Sequence, residues 1–239
     1  MVIEAELEVL RKLPLFKDLN ALELSAILEE SRTRRAEAGE SFFLQGDPAG
    51  HIYLLKEGRV KLSQVTPEGQ QVILNVIGSW ELFGLIGFTE NAVYPVSATA
   101  AADSLAYSWD QAALNRLASR YPRLALNAMG SMAGRVSEFQ EQIRALATER
   151  VERRVARALL RLVRQVGKKA ADGVLIDLAV SRQDLAEMSG TTLFTASRIL
   201  SQWERMGLID AGRERILIRN PHGLVSIAED IPGQNPPEK

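Results

Sequence analysis

Ser181-Arg182-Gln183-Asp184-Leu185-Ala186-Glu187-Met188-Ser189-Gly190-Thr191-Thr192-Leu193-Phe194-Thr195-Ala196-Ser197-Arg198-Ile199-Leu200 reads as two short helices joined by a tight turn. Ala186 is small where the two helices must approach. Gly190 follows four residues later, where the chain turns and φ is often positive. Ala196 and Ile199 then return to the inner face. The second helix keeps short polar side chains and Arg198 on its outer face, as a helix lying in a DNA major groove requires. The stretch points to nucleic acid as a partner.

Working outward, the charge is uneven. The 239 residues carry 29 Lys+Arg against 30 Asp+Glu, a net charge of −1. Residues 149–219 are rich in arginine and net basic, so the first 148 are net acidic. A basic DNA-binding end joined to a separate sensor end has this asymmetry. Apolar residues make up 46% of the chain, enough for packed cores. The absence of cysteine excludes disulfides, cysteine-ligated iron–sulfur clusters and Cys-type zinc sites. The two histidines, His51 and His222, form no metal-ligand pair, and no metal site is expected. No run of about 18 apolar residues occurs, and the N-terminus has no basic segment followed by an apolar one. A cytoplasmic protein without membrane contact is expected. No GxSxG, phosphate-cradling loop or ligand cluster suggests an enzyme.

The remaining chain falls into distinct textures. Residues 4–31 read as helical, interrupted at Leu13-Pro14-Leu15-Phe16 by proline. From 36 to 109, short apolar runs alternate with glycine-bearing turns: Ser41–Leu44, Ile52–Leu55, Val60–Val65, Val72–Ile77, Ser97–Ala101 and Leu105–Trp109. Such spacing suggests a sandwich, barrel or β-roll. Gln111–Ser119 reads as a short helix ended by Tyr121-Pro122. Met129, Met132, Val136, Phe139, Ile143 and Leu146 then follow at spacings of 3, 4, 3, 4 and 3. One face of a helix packed on its own domain would serve; sustained alternation favours a two-helix seam and a homodimer. At Thr148-Glu149-Arg150 the apolar stripe shifts to Val151, Val155, Leu159, Leu162, Val163 and Val166, which marks a hinge. Gly167–Gly173 reads as a loop, Val174–Leu178 as a strand and Gly207–Ile218 as a hairpin, or wing. The expected domains are a sensor roll (1–120), a dimerisation helix (121–148), a winged helix-turn-helix (149–228) and a disordered tail (229–239).

This order, α+β overall, resembles the catabolite activator protein / fumarate–nitrate regulator (CRP/FNR) superfamily across about residues 10–225. Gly46-Asp47-Pro48-Ala49 through Tyr53-Leu54-Leu55-Lys56-Glu57-Gly58 resembles the family's turn between its first two roll hairpins. Glu68-Gly69 resembles the tip of its flap, Phe83-Gly84-Leu85-Ile86-Gly87 its ligand cassette, and Gln183–Leu200 its helix-turn-helix. The resemblance implies a cyclic-nucleotide-binding-like roll, a long coiled-coil dimerisation helix and a winged helix-turn-helix. It implies a dimeric transcription regulator that binds a pseudo-palindromic DNA operator and meets RNA polymerase.

The departures narrow the effector. Relatives that bind cyclic AMP carry Gly-Glu in the cassette and Arg-Ser after it, and a Thr-Ser pair on the dimer helix. Here Gly84-Leu85, Val96-Ser97 and Phe139-Gln140 stand there. Leu cannot accept the ribose hydrogen bond and Val cannot pair a phosphate, so cyclic AMP is not expected. Trp80, Leu82, Phe83, Leu85, Phe88 and Tyr94 suggest either ordinary roll packing or an apolar effector or haem pocket. For haem, His51 is the sensor-end histidine, and its turn position suits a solvated residue better than an axial ligand. A regulator with no small effector is the alternative, and a non-DNA interaction module the remoter one.

At the DNA end, Arg198 stands where the family's arginine reaches guanine or phosphate. Thr192 and Ser197 can bond phosphate or a base edge, and Thr191 can cap the helix. Relatives reading a TGA-type half-site use a glutamate that accepts from cytosine N4. Phe194 stands in its place, beside Leu193. It cannot accept that bond but can pack on a thymine methyl, so a different operator is expected; an inward-packed Phe194 is the other reading. Arg182, Arg205, Arg213 and Arg215 are expected as phosphate contacts or solvated charges.

Overall fold

A computed structural model describes residues 4–67, 69, 71–212 and 215–231. The flap-tip Glu68, the wing Arg213 and the tail 232–239 lie outside the described residues. The chain divides into two compact units, Met1–Leu62 with Ile77–Glu141, and Ser63–Val76 with Gln142–Lys239.

The first unit opens with α1 (Glu4–Leu10), a 3-10 turn at Pro14–Phe16 and α2 (Ala21–Glu29). Asn20 starts α2 with a reciprocal cap. Its side chain accepts from the Leu22 and Glu23 amides, and the Glu23 carboxylate accepts from the Asn20 amide at 2.8 Å. The sheet follows: β1 (Arg32–Ala36), β2 (Ser41–Phe43), β3 (His51–Val65), β4 (Gln71–Ile77), β5 (Leu82–Phe83) and β6 (Ser97–Asp110); the end of β3 from Ser63 and β4 up to Val76 belong to the second unit. Its order is β1-β6-β3-β4, with β2 paired to β6 and β5 to β3.

Three expectations need correction. The exposed, arginine-rich β1 was not expected from its sequence. It pairs with β6 from Arg32↔Ser108 to Ala36↔Ser104, and its four outward residues carry no apolar alternation. The two runs 52–55 and 60–65 are one strand. Gly58 sits inside it at φ 97, and a Cβ there would lie 2.2 Å from Ser104 Oγ. Ser104 Oγ accepts the Arg59 amide at 3.2 Å. The glycine therefore marks a backbone irregularity pressed on its neighbour rather than a turn. Likewise 97–101 and 105–109 are both parts of β6.

β3 also shows why its apolar run does not alternate. Ile52 and Leu54 face a core with Leu10, Phe16, Leu24, Ile27, Trp109 and Leu117. Tyr53 and Leu55 face a second core with Phe42, Phe43, Val60, Phe83 and Tyr94. Both faces are covered, so successive residues are all buried. The unit continues through α3 (Gln111–Arg120), whose first turn is capped by Asp110 accepting from the Ala113 amide at 2.8 Å. α4 (Pro122–Thr148) starts at proline, which suits the first helical position. Its 27 residues span about 40 Å. Leu124 and Ala128 anchor it in the helix-side core.

The second unit contains α5 (Val151–Val166), β7 (Gly167–Ala170), β8 (Gly173–Ile176), α6 (Arg182–Ser189), α7 (Leu193–Arg205), β9 (Ile209–Gly212), β10 (Arg215–Ile218) and α8 (Pro221–Glu229). Its antiparallel sheet runs β7-β8-β10-β9. The expected loop at 167–173 is mostly strand β7, paired with β8 from Gly167↔Ile176 to Ala170↔Gly173. The described helix α8 runs to Glu229, a residue that the expected tail had included. Asn220 caps α8 and Pro221 begins it. Val155, Leu159 and Leu162 of α5 are fully buried, as are Leu185, Ala196, Leu200 and Leu224. Gln165 on α5 donates to Asn75 on β4 at 2.9 Å.

Candidate nucleic-acid interface

The helix-turn-helix is built by three local devices. Ser181 caps α6 reciprocally with Asp184: its hydroxyl accepts from the Asp184 amide at 3.0 Å, and Asp184 accepts from the Ser181 amide at 2.8 Å. Gly190 ends α6 in the left-handed region at φ 60, where a side chain is strained. A Cβ there would also lie 2.4 Å from Leu146 Cδ2, at the end of α4. Thr192 then caps α7 by accepting from the Thr195 amide at 3.2 Å. The cap is thus Thr192, and Thr191, expected in that role, lies half-buried before it.

α7 sorts its side chains sharply. Ala196, Ile199, Leu200 and Trp203 are buried. Leu193 is 48% and Phe194 79% exposed. The inward reading of Phe194 is therefore overturned. Arg198 is exposed one turn after Phe194 and is engaged by no partner among the described residues; Ser197 is half-buried. Arg205 is exposed in the last turn, and Arg215 is exposed at the start of β10. Arg182 is drawn inward instead. It donates to Ser201 Oγ at 3.3 Å and pairs with Glu204 at 3.5 Å, joining α6 to α7.

Much of the arginine in this unit is structural. Arg154 of α5 donates from Nε to Ser189 O at 2.9 Å, from Nη1 to Glu149 O at 2.9 Å and from Nη2 to Gly190 O at 3.1 Å. One guanidinium thus straps the turn of the helix-turn-helix to the break between α4 and α5. The sequence reading missed it, since the α5 arginines looked like generic basic charge. Arg157 pairs with the nearly buried Glu149 carboxylate at 3.4 Å. Arg153 donates to Ala228 O at 3.3 Å, near the end of α8.

The residues expected to form a seam on α4 divide as well. Met129, Val136, Phe139 and Ile143 are each more than half exposed, and Leu146 nearly so. Met132 instead packs against the helix-side core of its own unit.

The expected effector residues do not converge on one pocket. Phe83 is buried among aromatic rings, stacked on Tyr53 at 5.0 Å and edge-on to Phe42 at 5.2 Å. Phe43 stacks on Tyr94 at 3.6 Å in the same group, and Val96 packs against it. Burial pushes the Tyr94 phenol up to about 12. Leu85 and Trp80 belong to the helix-side core instead. Trp80 adopts φ 66, and Gly84 caps a 3-10 turn over Leu85–Phe88. Ser97 Oγ accepts from the Gln45 amide at 2.9 Å. Phe139 and Gln140 lie exposed on α4. Arg135, one turn before Phe139, donates to Leu82 O at 2.6 Å and so ties α4 to β5. A small apolar cavity lies between helices and sheet, lined by residues including Leu15, Phe16, Ile27, Trp109 and Leu117. Of the residues expected at an effector pocket, its lining includes Phe88. His51 is exposed at the start of β3. Among the described residues no three His, Asp or Glu side chains converge as a metal site, and no helix is long and apolar enough to cross a membrane.

Comparison with known proteins agrees with this architecture at both ends. The family described as "Cyclic nucleotide-binding domain" matches residues 33–121, and the "Crp-like helix-turn-helix domain" matches residues 153–227. The global nitrogen regulator of Synechococcus elongatus is 29% identical over 216 residues, covering 89% of this chain and 94% of that protein. The crystal structure of the Thermus thermophilus catabolite activator protein is 29% identical with a TM-score of 0.54, covering 92% of this chain and all of that one. The c-di-GMP-responsive regulator CLP of Xanthomonas campestris shares the fold, with a TM-score of 0.71 at 24% identity over 83% of this chain and 99% of that one. A nucleotide-binding-type sheet domain, a long helix and a Crp-like helix-turn-helix follow one another along one polypeptide, and the chain belongs to the CRP/FNR superfamily of transcription regulators.

Proposed function

We propose that the chain is a homodimeric, sequence-specific regulator that reads a pseudo-palindromic operator with α7 and is controlled by an effector other than cyclic AMP. The observation that carries the reading is the division of α7 into a buried face of Ala196, Ile199 and Leu200 and an exposed face of Leu193, Phe194 and Arg198. Thr192, Ser197 and Arg205 lie on α7 or at its cap, and Arg215 is exposed on β10; they would set register on the phosphates. The exposed apolar stripe of α4 supports association through Met129, Val136, Phe139, Ile143 and Leu146. In this reading residues 1–120 sense, 121–148 dimerise and 149–228 bind DNA. The protein works in the cytoplasm with RNA polymerase and catalyses nothing.

Leu85 is buried and apolar, and Val96 is apolar, so neither offers a partner to a ribose or cyclic phosphate. The aromatic packing around Phe83 and the direct tie from Arg135 to Leu82 also favour a second reading, in which the chain binds DNA with no small effector.

Selection from random duplexes at fixed salt, together with sedimentation of the purified chain, tests the proposal. The expected result is a dimer and an enriched dyad-symmetric site whose half-sites lie about 34 Å apart. A monomer, or a selection that returns no dyad, refutes it. Repeating the selection with candidate nucleotides and with haem separates the two control modes.

A further inference from the structure

Leu193 and Phe194 occupy the first two positions of α7, and neither contributes to the core that α7 buries. A first helical turn ordinarily gains from carboxylates, which complement the helix dipole. This one holds none. Two large apolar side chains stand there instead, exposed on a first turn whose backbone is held by the Thr192 cap immediately before them. Phe194 and Arg198 are four residues apart, so they share one face with Cβ atoms about 6 Å apart. That separation matches about one to two base pairs along a groove. In the major groove the apolar feature of a base edge is the thymine 5-methyl group. A phenyl ring can neither accept from cytosine N4 nor donate to guanine.

We infer that Phe194, flanked by Leu193, reads the 5-methyl group of a thymine about one to two base pairs from the base contacted by Arg198. The inference rests on the reading that α7 enters the major groove. It names what the exposed apolar tip selects there. Burying one methyl group is worth about a fourfold change in affinity, hence about fifteenfold when both half-sites lose it.

Replacing thymine by deoxyuridine removes that methyl and nothing else. Fluorescence anisotropy would compare the full-length dimer on its selected operator with the same duplex carrying deoxyuridine at each thymine in turn. One thymine per half-site should prove sensitive, by about fourfold, with the other thymines silent. Phe194→Ala should bind the thymine and deoxyuridine duplexes equally while keeping the guanine preference that Arg198→Ala loses. Since Phe194 is exposed, circular dichroism of the variant should match the wild type. A wild-type protein indifferent to every replacement overturns the inference and leaves DNA binding standing, as does a Phe194→Ala variant that keeps the penalty. A selection that recovers no operator overturns both.

Discussion

Replacing Arg154 by Met keeps the length of the side chain and removes its donors. Three carbonyls then lose a charged partner together: Ser189 O, Gly190 O and Glu149 O. A hydrogen bond from a charged donor contributes about 1.5–3 kcal/mol. The side chain is only half-buried, and water reaches part of the site, so the three do not add in full. A loss of about 2–4 kcal/mol is expected. Equilibrium urea unfolding followed by far-UV circular dichroism would measure it. Arg154→Lys should recover less than half, because one ammonium cannot span three carbonyls as the planar guanidinium does. Operator affinity should fall further than stability alone dictates, since Ser189 and Gly190 set the entry of α7. If Arg154→Met unfolds within about 1 kcal/mol of the wild type, the strap is ornamental and the reasoning fails.

Val136→Asn with Phe139→Asn should convert the protein to a monomer in analytical ultracentrifugation and abolish operator binding; a double variant that still dimerises removes the seam. Gly190→Ala should cost about 1 kcal/mol from the left-handed backbone alone, read as a lowered midpoint in thermal unfolding, and Leu146→Ala should not relieve that part. Asp110→Ala should cost about 1 kcal/mol at pH 7 through loss of the α3 cap. The hydrogen bond from the Ala113 amide holds the Asp110 carboxyl below its ordinary value. Its stabilisation is therefore complete above the unfolded-state pKa and vanishes as pH falls through the lower folded value. The gap between variant and wild type should accordingly close in acid titrations below about pH 4.

The helix-turn-helix was legible because its constraints are local. Ala186, Gly190, Ala196 and Ile199 each answer to a close approach or a turn within twenty residues. The strand boundaries were less so. Gly58 looks like a turn in sequence, and only the approach of Ser104 from β6 reveals an irregularity inside a strand. β1 escaped notice because Arg32-Thr33-Arg34-Arg35 lies exposed along its partner with no apolar face to announce it. Along α4 the 3–4 spacing located the exposed stripe. It could not reveal that Met132 turns back to its own core, since own-domain packing and a seam use the same periodicity. The arginines of α5 carried the opposite ambiguity. Arg153, Arg154 and Arg157 raise the basic charge of the DNA-binding end, yet their partners are carbonyls and carboxylates of their own fold. The cassette contacts failed to assemble for a related reason: Phe83 and Leu85, two residues apart on a strand and a turn, enter different cores.

Leu146 and Gly190 occupy, in effect, one shared volume: the leucine methyl lies where any side chain at 190 would begin. Sequence drift at these two positions is therefore coupled. A lineage that acquires alanine or serine at 190 would need something smaller than leucine at 146, or a displaced rotamer there. Leucine 146 also closes the apolar stripe of α4, so that exchange would thin the stripe by one member. Because that methyl is the far end of a half-exposed side chain, a turned Leu146 could clear the space, whereas the left-handed backbone at 190 would stay strained under any side chain.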